Sequence, residues 1–153
     1  MQWFARRRAA ALRAGAQQWL LDCGDNVRSQ GFLTPARMRE MPHGPACRHI
    51  AVVLHGWEGS ADSCYVISLG AELLARGYDV LRLNLRDHGD SHHLNREIFH
   101  SCRLAEVVGA TRAVAERFPA AQIFLTGFSL GGNFMLRVAA DAGAAFERPN
   151  SVT

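Results

Sequence analysis

Ile123-Phe124-Leu125-Thr126-Gly127-Phe128-Ser129-Leu130-Gly131-Gly132-Asn133 is the stretch that decides the fold. It opens as a short apolar run with strand character, and a helical pattern begins directly after it. A serine raised on a sharp strand-to-helix turn needs backbone angles that crowd side chains two positions away. Glycine at both of those positions, Gly127 and Gly131, relieves the crowding. The turn then holds the Ser129 hydroxyl out of the sheet at the amino end of a helix, where backbone N–H groups can stabilise an oxyanion. Strand, turn and helix in this order make a nucleophile-elbow pattern. The plain alternative is a glycine-rich turn that contains serine by chance. Two phosphate-loop readings fail on residues. A P-loop needs Lys after its last glycine, where this chain has Asn133. The dinucleotide fingerprint needs Gly-x-Gly, and Gly127 and Gly131 stand too far apart.

A chain of 153 residues is long enough for one domain with a real core. Its 48% hydrophobic and 20% charged residues fit a soluble globular protein. No apolar run approaches the roughly 20 residues that span a bilayer. Residues 1–16 are expected to form a basic helix carrying Arg6, Arg7, Arg8 and Arg13. With no apolar core of a signal sequence there, this reads as a solvated amphipathic helix. An organelle presequence or a membrane-surface helix is the lesser alternative. The net charge of +3 sits at the front, and no basic face is interleaved with aromatics, so nucleic acid is not expected as a partner. Every basic residue is Arg, which removes Schiff-base lysine chemistry. Cys23, Cys47, Cys64 and Cys102 are irregularly spaced and read as reduced thiols of a cytoplasmic protein. Cys102 lies near His92, His93 and His100, but the spacing matches no common zinc pattern. Neither a metal nor a cofactor is expected.

Working outward from Ser129, residues 17–143 read as one partial α/β domain. Strands are expected over 18–23 and 27–34, joined by Gly24-Asp25-Asn26 as a hairpin. A breaker-rich loop covers residues 37–48. The compact run of residues 49–54 is a buried central strand. A helix with Val66, Leu69, Leu73 and Leu74 on one face follows, capped by Ser60 or Asp62 and closed by Gly77. Residues 79–85 make the next strand, and a polar loop runs to about Ser101. A helix through Leu104, Val107, Val108, Thr111, Val114 and Phe118 ends at Pro119. The strand at 122–126 and a helix to about Ala142 complete the set, and residues 144–153 are expected to fray. After the hairpin, this alternation predicts a mostly parallel sheet with helices on both faces.

Two amide donors about 3 Å from the developing charge would complete an oxyanion site. Leu130, directly after the serine, supplies one. The loop after the first central strand, His55-Gly56-Trp57, supplies the other. Gly56 permits close approach there, and the Trp57 N–H is the candidate donor.

On these residues the chain resembles the α/β-hydrolase superfamily, most of all its bacterial esterase-like branch. The resemblance is carried by His55 to Ser60, by Asn84-Leu85-Arg86, and by Gly127 to Asn133. It implies Ser129 as nucleophile, the Trp57 and Leu130 amides as oxyanion hole, and a small acyl ester as substrate. Asp87 stands where the family's loop carries a glycine, and no catalytic role is implied for it. The family orders its triad as serine, acid, histidine, whereas no histidine follows Ser129 here and the only later Asp is Asp141. Asp141 lies about 18 Å along the helix and cannot orient a base beside the serine. The family sheet also continues beyond its elbow strand and helix. The expectation is therefore the front part of a longer serine hydrolase, a carboxylesterase or acylglycerol-type lipase. A binding protein that lost its triad is the alternative. His88, His92, His93 and His100 read as solvated loop residues. Trp57, Tyr65, Phe128 and Phe134 could line an acyl pocket but read first as core. Arg112, Glu116 and Arg117 read as a solvated helix face.

Overall fold

The structure is a computed structural model describing residues 2–36 and 47–147, with side chains at 6–36 and 47–142. Most of the loop expected over 37–48, and residues 148–153 of the expected frayed tail, lie outside the described residues. Among those described, α1 (Gln2–Ala14) precedes a hairpin of β1 (Gln17–Asp22) and β2 (Arg28–Thr34). Then come β3 (His49–Leu54), α2 (Cys64–Ala75), β4 (Asp79–Leu83), α3 (Leu104–Arg117), β5 (Gln122–Gly127) and α4 (Leu130–Glu147).

The five strands form one mixed sheet in the order β1-β2-β4-β3-β5. β3 runs parallel to both β4 and β5, and the hairpin joins antiparallel through β2. Ile50 to Leu54 are all buried, as an apolar strand between two parallel neighbours must be. Alternation along the strands divides the core. Ile50, Val52, Leu54, Leu81 and Leu83 meet Val107, Ala110 and Val114 of α3 and Phe134, Met135 and Val138 of α4. Val53 and Val80 meet Leu12 of α1 and Val66, Ile67 and Ala71 of α2 on the other face. Helices therefore cover both faces, as expected.

The basic helix α1 is docked rather than simply solvated. Leu12 is fully buried, and the Thr34 hydroxyl donates to its carbonyl at 2.8 Å. Arg6, Arg7, Arg8 and Arg13 stay exposed, and Arg8 reaches Glu72 of α2 at 2.7 Å. Leu12, with Ala9 packed against the same cluster, seats this helix. No helix among the described residues is long and apolar enough to cross a membrane.

β1, β2 and β5 shift by one residue from the sequence expectation, and three further boundaries differ for physical reasons. β4 stops at Leu83 rather than Leu85, because β3 has already ended and the Leu85 N–H turns to a histidine ring. The cap of α2 is Ser63 rather than Ser60 or Asp62, and it makes no side-chain cap bond. Its hydroxyl accepts from the Ser60 N–H instead, and Asp62 is drawn to Arg82 at 2.7 Å. Finally, α4 continues to Glu147, so residues 144–147 are helical rather than frayed. The far end of α2 follows expectation. Gly77 takes φ +93°, and the Gly77 and Tyr78 amides donate to Leu74 O and Leu73 O in a Schellman pattern.

β5 is the last strand of the sheet on its side, and its outer row of backbone groups has no strand neighbour among the described residues. The strand carries no charge or proline, and Phe124 is 42% exposed. Such an edge is a template for pairing with another chain. Residues 1–153 alone are accordingly expected to self-associate at tens of micromolar, as read by sedimentation velocity. A monodisperse monomer with a cooperative melt would contradict this.

Candidate active site

β5 ends at Gly127, α4 begins at Leu130, and Ser129 sits on the turn between them, exposed and left-handed at φ +50°. A non-glycine residue held there costs about 1–3 kcal/mol, so the surrounding structure must impose it. It does so through backbone bonds. The Phe128 N–H donates to Leu54 O at 3.0 Å, Gly131 N–H to Phe128 O at 2.9 Å, and Asn133 N–H to Ser129 O at 3.0 Å. The Leu130 amide, at the first position of α4, has no intrahelical acceptor.

The two glycines serve different contacts. A Cβ at Gly127 would lie 2.5 Å from the Gly131 carbonyl carbon, inside the turn itself. A Cβ at Gly131 would lie 2.6 Å from Leu54 O and still closer to His55 O. The crowding at Gly131 is thus with the end of β3, not with the turn as the sequence suggested.

The loop after β3 meets the same point. A Cβ at Gly56 would lie 3.2 Å from Phe128 O and 3.3 Å from Ser129 Cβ. Gly56, Gly127, Ser129 and Gly131 are therefore brought together at one end of the sheet. Trp57 and Leu130 each follow one of the touching residues, Gly56 and Ser129. The Gly56 N–H donates to Tyr65 Oη at 3.2 Å, and Tyr65 stacks on Phe128 with centroids 4.7 Å apart. Of the residues considered for an acyl pocket, Tyr65 and Phe128 buttress this loop and Phe134 is fully buried core. Trp57 alone stands well into solvent, 59% exposed.

His55 is fully buried behind the loop. Its Nε2 accepts from the Leu85 N–H at 3.1 Å, which leaves Nδ1–H to donate to Gly56 O at 2.7 Å. The ring thus ties the end of β4 to the loop beside Ser129. Burial, with a smaller push from His88, lowers its pKa from 6.5 to about 4, against the bond to Gly56, which favours the charged form. His88 is not a solvated loop residue as expected. It is half-buried, stacks on His55 at 4.9 Å, and bonds Arg86 O through Nδ1 at 2.6 Å. His92, His93 and His100 are exposed.

Asp87, for which the sequence implied no catalytic role, and Phe99, which it did not single out, support this end of the sheet. Asp87 is left-handed at φ +58°, and its carboxylate accepts from the Phe99 N–H at 2.7 Å. The Phe99 ring meets Trp57 at 5.7 Å, His88 at 5.0 Å and Phe134 at 6.3 Å. The only sequence signal was an aspartate at a turn position that suits glycine. The loop is further held by Arg86, buried with Glu106 at 2.7 Å, while Arg103 bonds Glu106 and Glu97.

Arg112, Glu116 and Arg117 are exposed on α3, as expected. Two grooves, of about 620 and 390 Å³, run along β1 and reach neither Ser129 nor Trp57. Among the described residues no three His, Cys, Asp or Glu side chains gather so that they could hold a metal ion. The four cysteines are free thiols.

The family model for the alpha/beta hydrolase fold matches residues 52–153, well over half of the chain. A serine hydrolase without a lid from Xanthomonas campestris superposes with a TM-score of 0.64 at 26% identity, covering 84% of this chain and 57% of that one. An esterase from Pyrococcus furiosus gives 0.66 at 20% identity, covering 80% and 43%. A dienelactone hydrolase from Anabaena variabilis gives 0.65 at 18%, covering 85% and 60%. This chain thus spans about half the length of these structures. No curated protein matches it by sequence. With its sheet order, its strand–turn–helix at Ser129 and this family match, the chain belongs to the α/β-hydrolase fold family.

Proposed function

We propose that this chain carries the nucleophile and oxyanion hole of a serine hydrolase acting on small acyl esters. The observation that carries this is Ser129 itself: exposed, left-handed, and held at the amino end of α4 by β3 and Gly56. In this reading Ser129 attacks the ester carbonyl, and the Leu130 and Trp57 amides receive the oxyanion. A serine hydroxyl needs a base at neutral pH. None of the seven histidines follows Ser129, and the structures matched are about twice as long. No acid or base is therefore assigned within these residues. The missing histidine also favours a second reading, a binding protein that kept the pocket without the chemistry.

A fluorophosphonate probe on the complete protein separates the two. Ser129 is expected to label covalently, and Ser129→Ala to abolish labelling. Equal labelling of the variant would remove Ser129 as nucleophile, and an unlabelled wild type would favour the binding protein.

Residues 1–153 alone are expected to hydrolyse p-nitrophenyl butyrate only in traces. An oxyanion hole without its base leaves roughly 10³–10⁴-fold over water, far below the roughly 10⁶-fold or more of working enzymes. Robust Ser129-dependent turnover that disappears in His88→Ala would place the base in the loop after β4 instead.

A further inference from the structure

Three consecutive residues of the loop after β4 are pinned through their backbone. Arg86 Nη1 donates to Glu97 O at 2.9 Å, Arg103 Nε to Ile98 O at 3.0 Å, and the Phe99 N–H to Asp87 Oδ2 at 2.7 Å. A surface loop with every residue of a tripeptide tied in this way is held in one place. Phe99 consequently stands edge-to-face on Trp57 at 5.7 Å, and it also meets Phe134, five residues along α4 from Ser129. Trp57 itself follows Gly56, the residue in contact with Ser129. Trp57 is thus one residue from the contact with Ser129, and it and Ile98, the chain neighbour of Phe99, are 59% and 78% exposed. Large apolar side chains left in solvent next to a reactive group offer surface to an apolar ligand.

Resting on the assignment of Ser129 above, we propose that Asp87 is a positioning residue. It holds residues 97–99 so that Phe99, Trp57 and Ile98 form an apolar wall, and the wall selects acyl groups by the length of their hydrocarbon chain. The left-handed backbone at 87, which glycine would adopt with less strain, is occupied by aspartate because its carboxylate makes the latch. The arginines that pin the strap point to Glu97 and Glu106, so they are engaged with acids rather than offered to an anionic acyl group.

The test uses unreactive methyl ketones with the 153-residue chain at sub-micromolar concentration. Binding is read from Trp57 fluorescence, taken as the difference from Trp57→Phe. Each methylene laid on a partly exposed wall should tighten binding about twofold to fourfold. 2-Octanone should therefore bind at least about tenfold more tightly than 2-butanone. Asp87→Asn keeps an oxygen acceptor and should preserve that ratio. Asp87→Gly suits the backbone but deletes the latch, and should reduce the ratio to about threefold or less. Ile98→Ser, a change confined to the surface, should lower it partway. A wild-type ratio near one, or an Asp87→Gly ratio equal to wild type, would overturn the proposal. A flat ketone series with Ser129 labelling intact sinks the wall alone. An unreactive Ser129 with the chain-length dependence intact sinks the nucleophile assignment and leaves the wall.

Discussion

Gly131→Ala is expected to destabilise the fold by about 3 kcal/mol or more, leaving much of the chain unfolded. Helix propensity alone points the other way, since alanine is favoured over glycine within a helix by about 1 kcal/mol. Tertiary contact decides the sign. The new methyl would press on the carbonyl oxygens of Leu54 and His55, at the end of the central strand. Those are backbone atoms of β3 and its exit, and Leu54 O already accepts the Phe128 N–H. They have no rotamer through which to withdraw, so α4 must lift from the sheet and take the Ser129 turn with it. Gly132→Ala is the internal control. Its Cβ would come no nearer than 3.1 Å, to Gly127 O, so a small shift suffices and the change should stay within about 1 kcal/mol. Urea melts of the two variants beside wild type check this. A Gly131→Ala melt equal to wild type would mean that α4 is not seated on β3 as described.

Acid should weaken the fold well before its carboxylates titrate. His55 is buried neutral, with a pKa of about 4 in the folded chain against 6.5 when unfolded. Between those values the unfolded chain binds a proton that the folded chain does not, so stability rises with pH across the window. Lowering pH from above 6.5 toward 4 therefore removes stability, up to about 3 kcal/mol from this one group. Protonation would also turn Nε2 into a donor facing the Leu85 N–H, breaking the tie between β4 and the Gly56 loop. Glu72 and Glu97 act lower on the scale. Arg76 and Arg103 hold their carboxyls below the ordinary 4.5, so their contributions are present above that value and are lost only as pH falls beneath it. Melts from pH 7.5 to 5 thus isolate the histidine from those two. His55→Gln should start less stable and show a much flatter pH dependence over that range. An unchanged slope in the variant would show that some other group takes up the proton.

Much of the architecture is legible from periodicity. The apolar run at 49–54 had to be a buried strand, Gly77 had to close a helix, and Gly127 and Gly131 around Ser129 marked a strand-to-helix turn. These are local signals, because two- and 3.6-residue periods and left-handed positions are properties of a few neighbouring residues. The sequence by itself thus determined the class of fold, the hairpin, the order of strands and helices along the chain, and the serine on which the candidate site is built. Only the tertiary structure decided that β3 lies between β4 and β5, that Leu12 docks the arginine-bearing helix, and that Gly131 answers to β3 rather than to its own turn. The same holds for the site's supports: His55 reaching Leu85, and Asp87 latching Phe99 against Trp57. Each of these joins residues that no period relates, through a buried methyl, a ring nitrogen or a single carboxylate. Such contacts exist only once the sheet has brought the loops at its carboxyl end together.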